Sequence, residues 1–279
     1  MIIIADSGST KTDWVLCNSN GIVARANTQG FNPTIQGSEE IFAHLAKELP
    51  GEFAAAAAKE IFFYGAGCAY DTANARMKEA LRGIFATPEI YVYSDLLAAA
   101  RAMCGNEEGI ACIMGTGSNS CLYNGKDITD NTPPMGYILG DEGSGANLGR
   151  QLISDCVKKQ LPKEIREAFM KEYSLDIPTI LEKVYRTPMP NRWLASLVPF
   201  IQKHRNNAEI SAMIKQCFRQ FFQRNVMVYR HSWLPIHIIG GIGISFTEEI
   251  KEAAESLGLY IGEIAQSPME GLVKYHCNK

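Results

Sequence analysis

Three glycine-containing turns, each after a predicted strand, have the composition of phosphate-binding turns. They are DSGSTKTD at residues 6–13, GTGSNS at 115–120 and GGIG at 240–243. Glycine lets the backbone approach a ligand closely, and successive backbone N–H groups in such turns form concavities that bind anions. One such turn is more often a plain connection, but three together predict a phosphate or nucleotide site. The candidate contacts are Gly8, Ser9, Thr10, Lys11, Thr12, Gly115, Thr116, Gly117, Gly240 and Gly241.

The first turn also carries groups that suit a phosphate together with its metal ion. Asp6 and Asp13 supply carboxylates and Lys11 supplies a cation among several hydroxyls. Mg²⁺ is usually held by one or two carboxylates and by substrate oxygens. The turn is not a P-loop, because Thr10 rather than glycine precedes Lys11. The other turns lack the third glycine of the dinucleotide-binding fingerprint, so an NAD enzyme is disfavoured as well.

Asp95 is a candidate general base. It follows the predicted strand YVYS and begins the predicted helix DLLAAARAM. Phosphorylation of a hydroxyl requires mainly positioning and charge stabilisation, together with a carboxylate that accepts the hydroxyl proton. Ser94 and Asp95 are also good residues for the first turn of a helix, so helix capping is an equal alternative.

Two further groups of polar residues could bind a hydroxylated substrate. Asp141 and Glu142 lie between glycines in GYILGDEGSGANLG, residues 136–149. They could form a solvated turn, or they could accept hydrogen bonds from sugar hydroxyls. Asn32 in QGFNP and Asn119 in GTGSN can both donate and accept, although loop asparagines usually stabilise turns.

The elements that would position these residues alternate between strand and helix. Apolar runs at 2–4, 14–16 and 22–24 predict three antiparallel strands, followed by alternating helices and strands up to residue 114. In the second half, residues 119–123, 128, 135–139, 235–239 and 259–261 are strand candidates, and most of the rest is predicted to be helical. The final helix is predicted at residues 268–275.

Composition excludes several classes of protein. The chain has 279 residues, 46% hydrophobic residues and a net charge of −3, which indicates about two globular domains and no binding of nucleic acid or of an anionic membrane. The eight cysteines form no CxxC pair and favour reduced, buried thiols and a cytoplasmic location. The N-terminus lacks the basic region of a signal peptide, and no run approaches about 18 apolar residues, so no membrane anchor is predicted.

The motifs together resemble a known superfamily. DSGSTKTD, YGAG, GTGSN and the late GGIG resemble, in that order, the phosphate-1, connecting, phosphate-2 and adenosine segments of the sugar kinase, heat-shock chaperone and actin superfamily. Within it the chain is similar to the BadF/BadG/BcrA/BcrD-type ATPases, and most similar to their N-acetylglucosamine kinase branch. The resemblance spans most of the chain.

The resemblance implies an α/β protein with two ribonuclease-H-like (actin-like ATPase) domains around a nucleotide cleft. The expected domains are residues 1–114 and 115–267, with the helix 268–279 packing on the first. ATP and Mg²⁺ would bind between them, and the domains would close on the substrate. A homodimer is also expected of such a protein.

The resemblance also implies roles for single residues. Asp95 would accept the proton, Asp6 would position Mg²⁺ through water, and Asp141 would orient the sugar. Asn32 and Asn119 would contact the sugar too, and Thr116 and Gly117 would lie between the phosphate and the sugar. Glu142 is a weaker candidate for a contact with sugar or with a magnesium-bound water.

The resulting expectation is an ATP-dependent kinase of an amino sugar, with N-acetylglucosamine as the first candidate. Glucosamine, N-acetylmannosamine and a muramic derivative remain open. The alternative is an ATPase that activates a partner enzyme in electron transfer, as activators of benzoyl-CoA reductase do through an iron–sulfur cluster. The cysteines at 104, 112, 121 and 156 lack the glycine-rich loop context of such a cluster. A sugar-sensing protein on the same scaffold is a further alternative.

Overall fold

A computed structural model describes residues 1–8, 10–87 and 89–277. The chain divides into two compact units, the first made of 1–107, 124–128 and 267–279 and the second of 108–123 and 129–266. The sequence-based division at residue 114 remains a prediction. The strand at 108–114 is part of the second unit here because it pairs with the strand at 236–239.

Strands and helices alternate along the chain. The strands are β1 (Ile2–Ser7), β2 (Lys11–Asn18), β3 (Gly21–Gln29), β4 (Glu60–Gly65), β5 (Glu89–Ser94), β6 (Glu108–Met114), β7 (Ser118–Asn124), β8 (Ile128–Thr132), β9 (Ile236–Ile239) and β10 (Ile261–Ala265). The helices are α1 (Ser38–Glu48), α2 (Gly51–Ala55), α3 (Asp71–Ile84), α4 (Asp95–Cys104), α5 (Gly136–Leu139), α6 (Gly145–Val157), α7 (Lys163–Glu172), α8 (Ile177–Tyr185), α9 (Pro190–Ala195), α10 (Val198–Lys203), α11 (Ala208–Phe221), α12 (Gly241–Ser245), α13 (Thr247–Glu255) and α14 (Met269–Cys277).

The sheet of the first unit has the order β3-β2-β1-β4-β5. β2 pairs antiparallel with β1 and β3, which confirms the predicted three-stranded opening, whereas β4 is parallel to β1 and β5. Apolar clusters cover both faces of this sheet, one including Trp14 and Phe63, the other including Ile4 and Leu272 of α14. Because both faces are buried, β1 has a continuous apolar run rather than an alternating one.

The sheet of the second unit has the order β10-β9-β6-β7-β8. β9 is parallel to both β6 and β10. The large apolar cluster of this unit contains one face of α11, with Ile210, Ile214, Phe218 and Phe221 three or four residues apart. This second sheet with its flanking helices completes the predicted α/β class.

Residues 135–139 do not form the predicted strand. Pro133 and Pro134 have no N–H to donate to a sheet, and Met135 and Gly136 have positive φ angles of 57° and 72°. The chain therefore turns and forms the short helix α5. The predicted last strand at 259–261 also differs from the structure, where β10 begins at Ile261.

The expectation that all eight cysteines are reduced is wrong for one pair. Cys17 of β2 and Cys277 of α14 form a disulfide, and the other six cysteines are buried thiols. The pair is 260 residues apart in sequence. α14 returns to pack on β1 and β2, and sequence spacing gives no sign of that contact.

Candidate functional site

Three parallel strands of the first unit bring two of the predicted carboxylates to one edge of its sheet. Ser7 of β1, Gly65 of β4 and Ser94 of β5 are in register. Asp6 lies on β1 just inside this edge, and Asp95 follows β5 directly. The two carboxylates interact, because the negative charge of Asp95 raises the pKa of Asp6.

Asp95 is the first residue of α4, but it is not the cap of that helix. Ser94 is the N-cap, and its Oγ accepts a hydrogen bond from the N–H of Leu97 at 3.2 Å. Oδ1 of Asp95 accepts from the N–H of Leu96 at 2.9 Å. Burial raises the pKa of Asp95, and hydrogen bonds from the backbone oppose that increase. The helix therefore has its cap without Asp95, whose role as a base stays a prediction.

The pKa of Asp6 is also raised by its surroundings. Burial, together with the negative charges of Asp95 and Asp13, raises its pKa to about 7, and the positive charge of Lys11 opposes this increase. The ammonium group of Lys11 forms an exposed ion pair with Asp13 at 2.9 Å. A carboxyl group with this pKa is only partly ionised at neutral pH, so a nearby cation would favour its charged form.

The first glycine turn is a tight connection between β1 and β2. The N–H of Gly8 donates to the carbonyl of Lys11 at 3.0 Å, and the carbonyl of Thr10 accepts from the N–H of Gly30 at 3.0 Å. Gly8, Thr10 and Lys11 are exposed at its tip. Ser9, another predicted contact, lies outside the described residues. The exposed members are placed where a ligand can reach them.

Thr12 differs from the other members of this turn because it is buried. Its hydroxyl donates to the carbonyl of Gln29 at 2.9 Å and is 2.8 Å from Oγ of Ser7. Oγ of Ser7 also accepts from the N–H of Phe31 at 3.1 Å. The hydroxyl of Thr12 thus ties the turn to the end of β3, and Ser7 ties it to Phe31 in the loop at 30–36. The contact of Thr12 with phosphate remains a prediction.

Asn32 lies in that loop and packs against the turn after β4. Its Oδ1 accepts from the N–H of Thr34 at 3.0 Å, and its own N–H donates to the side chain of Gln36 at 2.8 Å. A Cβ on Gly67 would be 2.4 Å from Oδ1 of Asn32. Gly67 has a φ of +81°, so both space and backbone conformation require glycine beside Asn32.

In the second unit, the glycine turn after β6 is fixed by the start of α6. The N–H of Gly145 donates to the carbonyl of Gly115 at 2.8 Å, and that of Ala146 donates to the carbonyl of Thr116 at 3.1 Å. The carbonyl of Gly117 accepts from the N–H of Gly115 at 2.9 Å. The helix start and the predicted phosphate turn are therefore one rigid piece of backbone.

The third glycine segment meets the second. Gly240 has a φ of +124°, and a Cβ there would be 2.3 Å from the carbonyl oxygen of Met114 and 3.4 Å from the N–H nitrogen of Gly115. Gly241 begins α12 and has open space, with only Gln266 within 4 Å of an added Cβ. β6 and β9 thus bring two of the three predicted turns side by side.

Asp141 lies directly against the second turn. It is buried, and its Oδ1 accepts from the N–H of Ser118 at 3.2 Å. A Cβ on Gly117 would be 3.1 Å from both of its carboxylate oxygens. Burial raises the pKa of Asp141, as does the charge of Glu142, while the bond from Ser118 lowers it.

Glu142 points to other partners. Its carboxylate pairs with Arg224 and accepts from Nδ2 of Asn225 at 3.1 Å. Both partners lie on a π-helical segment, Phe222–Val226. The backbone carbonyl of Glu142 accepts from the hydroxyl of Ser118 at 2.7 Å. These contacts join Glu142 to its own unit, and its weaker predicted role stays untested.

Asn119 is held by a residue that sequence reasoning missed. Oδ1 of Asn119 accepts from the N–H of Ser120 at 2.9 Å and from Nδ2 of Asn131 at 3.0 Å. Asn131 is an exposed residue of β8 in the sequence DNTPP. That sequence suggests an ordinary turn, and nothing in it indicates the contact.

The structure therefore groups most of the predicted site residues within their units. In the first unit it brings Asp6 and Asp95 to one sheet edge, and Asn32 to the adjoining loops. In the second unit it brings Gly117 and Asp141 into direct contact, and the glycine turns lie at the ends of β6 and β9. Asn119 lies on β7, and Glu142 contacts Arg224 and Asn225 instead.

The cysteines considered for an iron–sulfur cluster are buried in the structure. Cys104, Cys112, Cys121 and Cys156 are thiols outside any disulfide, with 0 to 8% of their surface exposed. Within the described ranges, no three His, Cys, Asp or Glu side chains converge as a metal centre. No helix in the described part of the chain has the length and apolar character needed to cross a membrane.

Comparison with solved structures gives a full-length match. The chain superimposes on a crystal structure of a candidate N-acetylglucosamine kinase from Porphyromonas gingivalis with a TM-score of 0.95 and 44% identity, over 100% of this chain and 99% of the other. A ROK family glucokinase from Streptomyces griseus, solved with glucose and AMPPNP, has a TM-score of 0.58 and 12% identity, over 98% of this chain and 97% of the other. The second match shows the fold alone.

Comparison with characterised sequences gives a partial match. An N-acetylmuramic acid/N-acetylglucosamine kinase from Clostridium acetobutylicum is 26% identical over 155 residues, which are 52% of this chain. The match spans only half of that relative, 50% of its length. No protein-family model matches the chain.

Proposed function

The chain belongs to the N-acetylglucosamine kinase family, which has the actin-like sugar kinase fold, and we propose that it transfers the γ-phosphate of ATP to a hydroxyl of an amino sugar. N-acetylglucosamine is the proposed substrate. The observation that carries the proposal is the 44% identity over the whole chain to a candidate N-acetylglucosamine kinase. The name of the Clostridium relative and the nucleotide analogue bound to the Streptomyces glucokinase agree with it.

Asp95 is the proposed general base. It follows β5 at the same sheet edge as Asp6, and Ser94 already caps α4. Burial raises the pKa of Asp95, which makes its carboxylate a better proton acceptor than an exposed one. In this proposal it removes the proton from the sugar hydroxyl as that oxygen attacks the γ-phosphate.

Asp6 is proposed to hold Mg²⁺ through water. Its environment fits a cation, because burial and the neighbouring charges of Asp95 and Asp13 all disfavour its ionised form in the metal-free protein. Mg²⁺ bound with ATP would neutralise negative charge on the β- and γ-phosphates. The carboxylate of Asp6 would accept a hydrogen bond from a metal-bound water at this acidic edge of the sheet.

The glycine turns are proposed to contact ATP through their backbones. Gly8, Thr10 and Lys11 are exposed at the tip of the first turn. Gly115, Thr116 and Gly117 form a turn fixed by the start of α6, and Gly240 and Gly241 lie beside it. The N–H groups of Gly8, Gly115 and Gly240 already donate to protein carbonyls, so other N–H groups of these turns would face the phosphates. Such fixed N–H groups stabilise phosphate charge without reorganising during the reaction. Ser9 and Thr12 are retained as weaker candidates.

Asp141, Asn32 and Asn119 are proposed to orient the sugar, with Gly117 between phosphate and sugar. A buried carboxylate such as Asp141 accepts hydrogen bonds from hydroxyl groups, whereas the asparagine amides can donate to sugar oxygens. Glu142 is retained only as a weak candidate because Arg224 and Asn225 already engage its carboxylate.

A cytoplasmic homodimer is the proposed setting. ATP as a substrate supports the location. The side chains of Ile138, Leu181 and Tyr185 support self-association, because they are 51 to 78% exposed around one apolar groove of the second unit. The molar mass in solution, measured by light scattering during gel filtration, tests the dimer.

The direct test is ADP release from ATP and Mg²⁺ with N-acetylglucosamine, N-acetylmannosamine, glucosamine, N-acetylmuramic acid, glucose or no sugar. Turnover that requires an amino sugar is expected. Equal turnover without sugar would contradict the kinase and would favour the ATPase alternative, which the buried cysteines do not support.

A further inference from the structure

The amide of Asn119 has one orientation that its backbone neighbour dictates. The N–H of Ser120 can only donate, and it lies 2.9 Å from the side-chain oxygen of Asn119. A flipped amide would set two donors against each other. The atom facing Ser120 is therefore the oxygen, independently of how side-chain amides are assigned.

Asn131 reinforces this orientation and is itself fixed by the backbone. Its Nδ2 donates to the carbonyl of Ser120 at 2.7 Å and to Oδ1 of Asn119 at 3.0 Å. A backbone carbonyl can only accept, so Nδ2 rather than Oδ1 of Asn131 must face it. Both lone-pair directions of Oδ1 of Asn119 are thus engaged, by Ser120 and by Asn131.

The strand that carries Asn131 is held in place by buried groups. The next residue, Thr132, donates its N–H to the hydroxyl of Tyr229 at 3.0 Å and its hydroxyl to the carbonyl of Asn225 at 3.2 Å. Tyr229 and Asn225 are buried and both bond to the hydroxyl of Ser120. Asn131 is therefore exposed, but hydrogen bonds to buried residues hold the adjacent backbone in place.

We propose that Asn131 is a positioning residue that holds Asn119 as a hydrogen-bond donor toward the sugar. With Oδ1 engaged, Nδ2 of Asn119 is the polar group that remains, and it has no protein partner among the residues that the structure describes. Asn119 then requires an acceptor on the substrate. In an N-acetylated sugar the strongest acceptor is the acetamido carbonyl oxygen, whereas the ammonium group of glucosamine is only a donor.

The inference rests on the proposed function, and Asn32 offers a parallel. Its Oδ1 accepts from the backbone N–H of Thr34 at 3.0 Å, which leaves its Nδ2 as a donor in the same way. A fixed amide donor distinguishes a substrate acceptor from a substrate donor. A substrate with a donor where the site requires an acceptor leaves a polar group unpaired. The cost of that unpaired group discriminates strongly between substrates.

The test compares Asn131→Ala, Asn131→Asp, Asn119→Ala and the double variant Asn119→Ala/Asn131→Ala. Asn131→Ala is expected to raise the KM for N-acetylglucosamine about fivefold to tenfold, the effect of roughly one hydrogen bond, and to leave the KM for ATP unchanged. In the Asn119→Ala background the same change is expected to have less than a twofold effect. Asn131→Asp should be more damaging than Asn131→Ala, because its carboxylate repels the oxygens of Asn119 and Ser120.

Asn124→Ala is the matched control. Asn124 also uses its Oδ1 in the β7–β8 connection, accepting from Lys126 and Asp127, but it does not contact Asn119. The Asn124→Ala substitution should leave the KM for the sugar unchanged. An equal loss in Asn124→Ala, an equal rise in the KM for ATP, or the same effect of Asn131→Ala with and without Asn119 would overturn the proposal.

A measurement independent of turnover separates this proposal from the proposed function. With ¹⁵N-labelled asparagine, the Nδ2 signals of Asn119 are identified by their loss in Asn119→Ala. They should shift in Asn131→Ala, stay in place in Asn124→Ala, and shift when N-acetylglucosamine is added to the wild type. Nδ2 signals of Asn119 that do not shift in Asn131→Ala refute the positioning role. The expected shifts without any sugar-dependent turnover refute only the kinase activity.

Discussion

Gly117 packs against the carboxylate of Asp141 so closely that a Cβ at position 117 would be 3.1 Å from both of its oxygens. Ser118, the next residue, donates its N–H to the same carboxylate. Gly117, predicted to lie near phosphate, and Asp141, predicted to bind sugar, are thus in direct contact. Displacing either one should affect the other.

Gly117→Ala should therefore raise the KM for the sugar. The added methyl group must push the buried carboxylate of Asp141 by a few tenths of an ångström, and we expect about a tenfold rise, consistent with the sensitivity of positioned groups. Initial rates at varied sugar concentration give the value. Gly51→Ala is the control, since an added Cβ there has open space; an unchanged KM in Gly117→Ala would separate Asp141 from the sugar.

Asp95→Asn should reduce kcat about 10² to 10⁴-fold, the usual contribution of a general base. The amide has almost the same shape but cannot accept the proton, so binding of ATP should be retained. Calorimetric titration with an ATP analogue and steady-state kinetics provide the two measurements. Activity close to that of the wild type would remove Asp95 from the role of base.

The buried Asp6 should make stability depend on pH in a defined direction. Its folded-state pKa of about 7 exceeds the ordinary value of 3.8, so the folded protein binds the extra proton between these values. The free energy of unfolding should consequently fall as pH rises through about 4 to 7. Asp6→Asn should be more stable than the wild type at pH 8, by at most about 4 kcal/mol, with a smaller difference at pH 5.

Urea denaturation with a metal chelator measures this difference. Asp127→Asn, at an exposed position, should show no comparable change with pH. Adding Mg²⁺ at pH 8 should stabilise the wild type more than Asp6→Asn, because only the wild type has the carboxylate. A pH-independent difference between the two proteins would contradict the raised pKa.

Glu142→Gln should affect stability more than chemistry. The substitution removes the ion pair with Arg224 and leaves the π-helical segment with a weaker contact. We expect a loss of about 1 kcal/mol or less in the free energy of unfolding, because Arg224 is largely exposed, and an unchanged Mg²⁺ requirement. Denaturation curves and rates at varied Mg²⁺ test both; a raised Mg²⁺ requirement at normal stability would instead support a role near the metal.

The sequence by itself determined the kind of fold and where its phosphate turns lie in the chain. Apolar runs, their periods and the glycines that end them depend on neighbouring residues only, so β1, β6 and β9 and the turns that follow them could be read directly. The resemblance carried by DSGSTKTD and GTGSN then supplied the expected roles of Asp95 and Asp141.

Only the tertiary structure decided which side chains meet. Pairing of β4 with both β1 and β5 brings Asp6 and Asp95 to one edge, the return of α14 joins Cys17 to Cys277, and β8 places Asn131 beside Asn119. These partners are far apart in the sequence, or they lie in segments that carry no recognisable motif. Their contacts come from strand order and packing, which depend on the whole chain folding at once, and no local pattern encodes them.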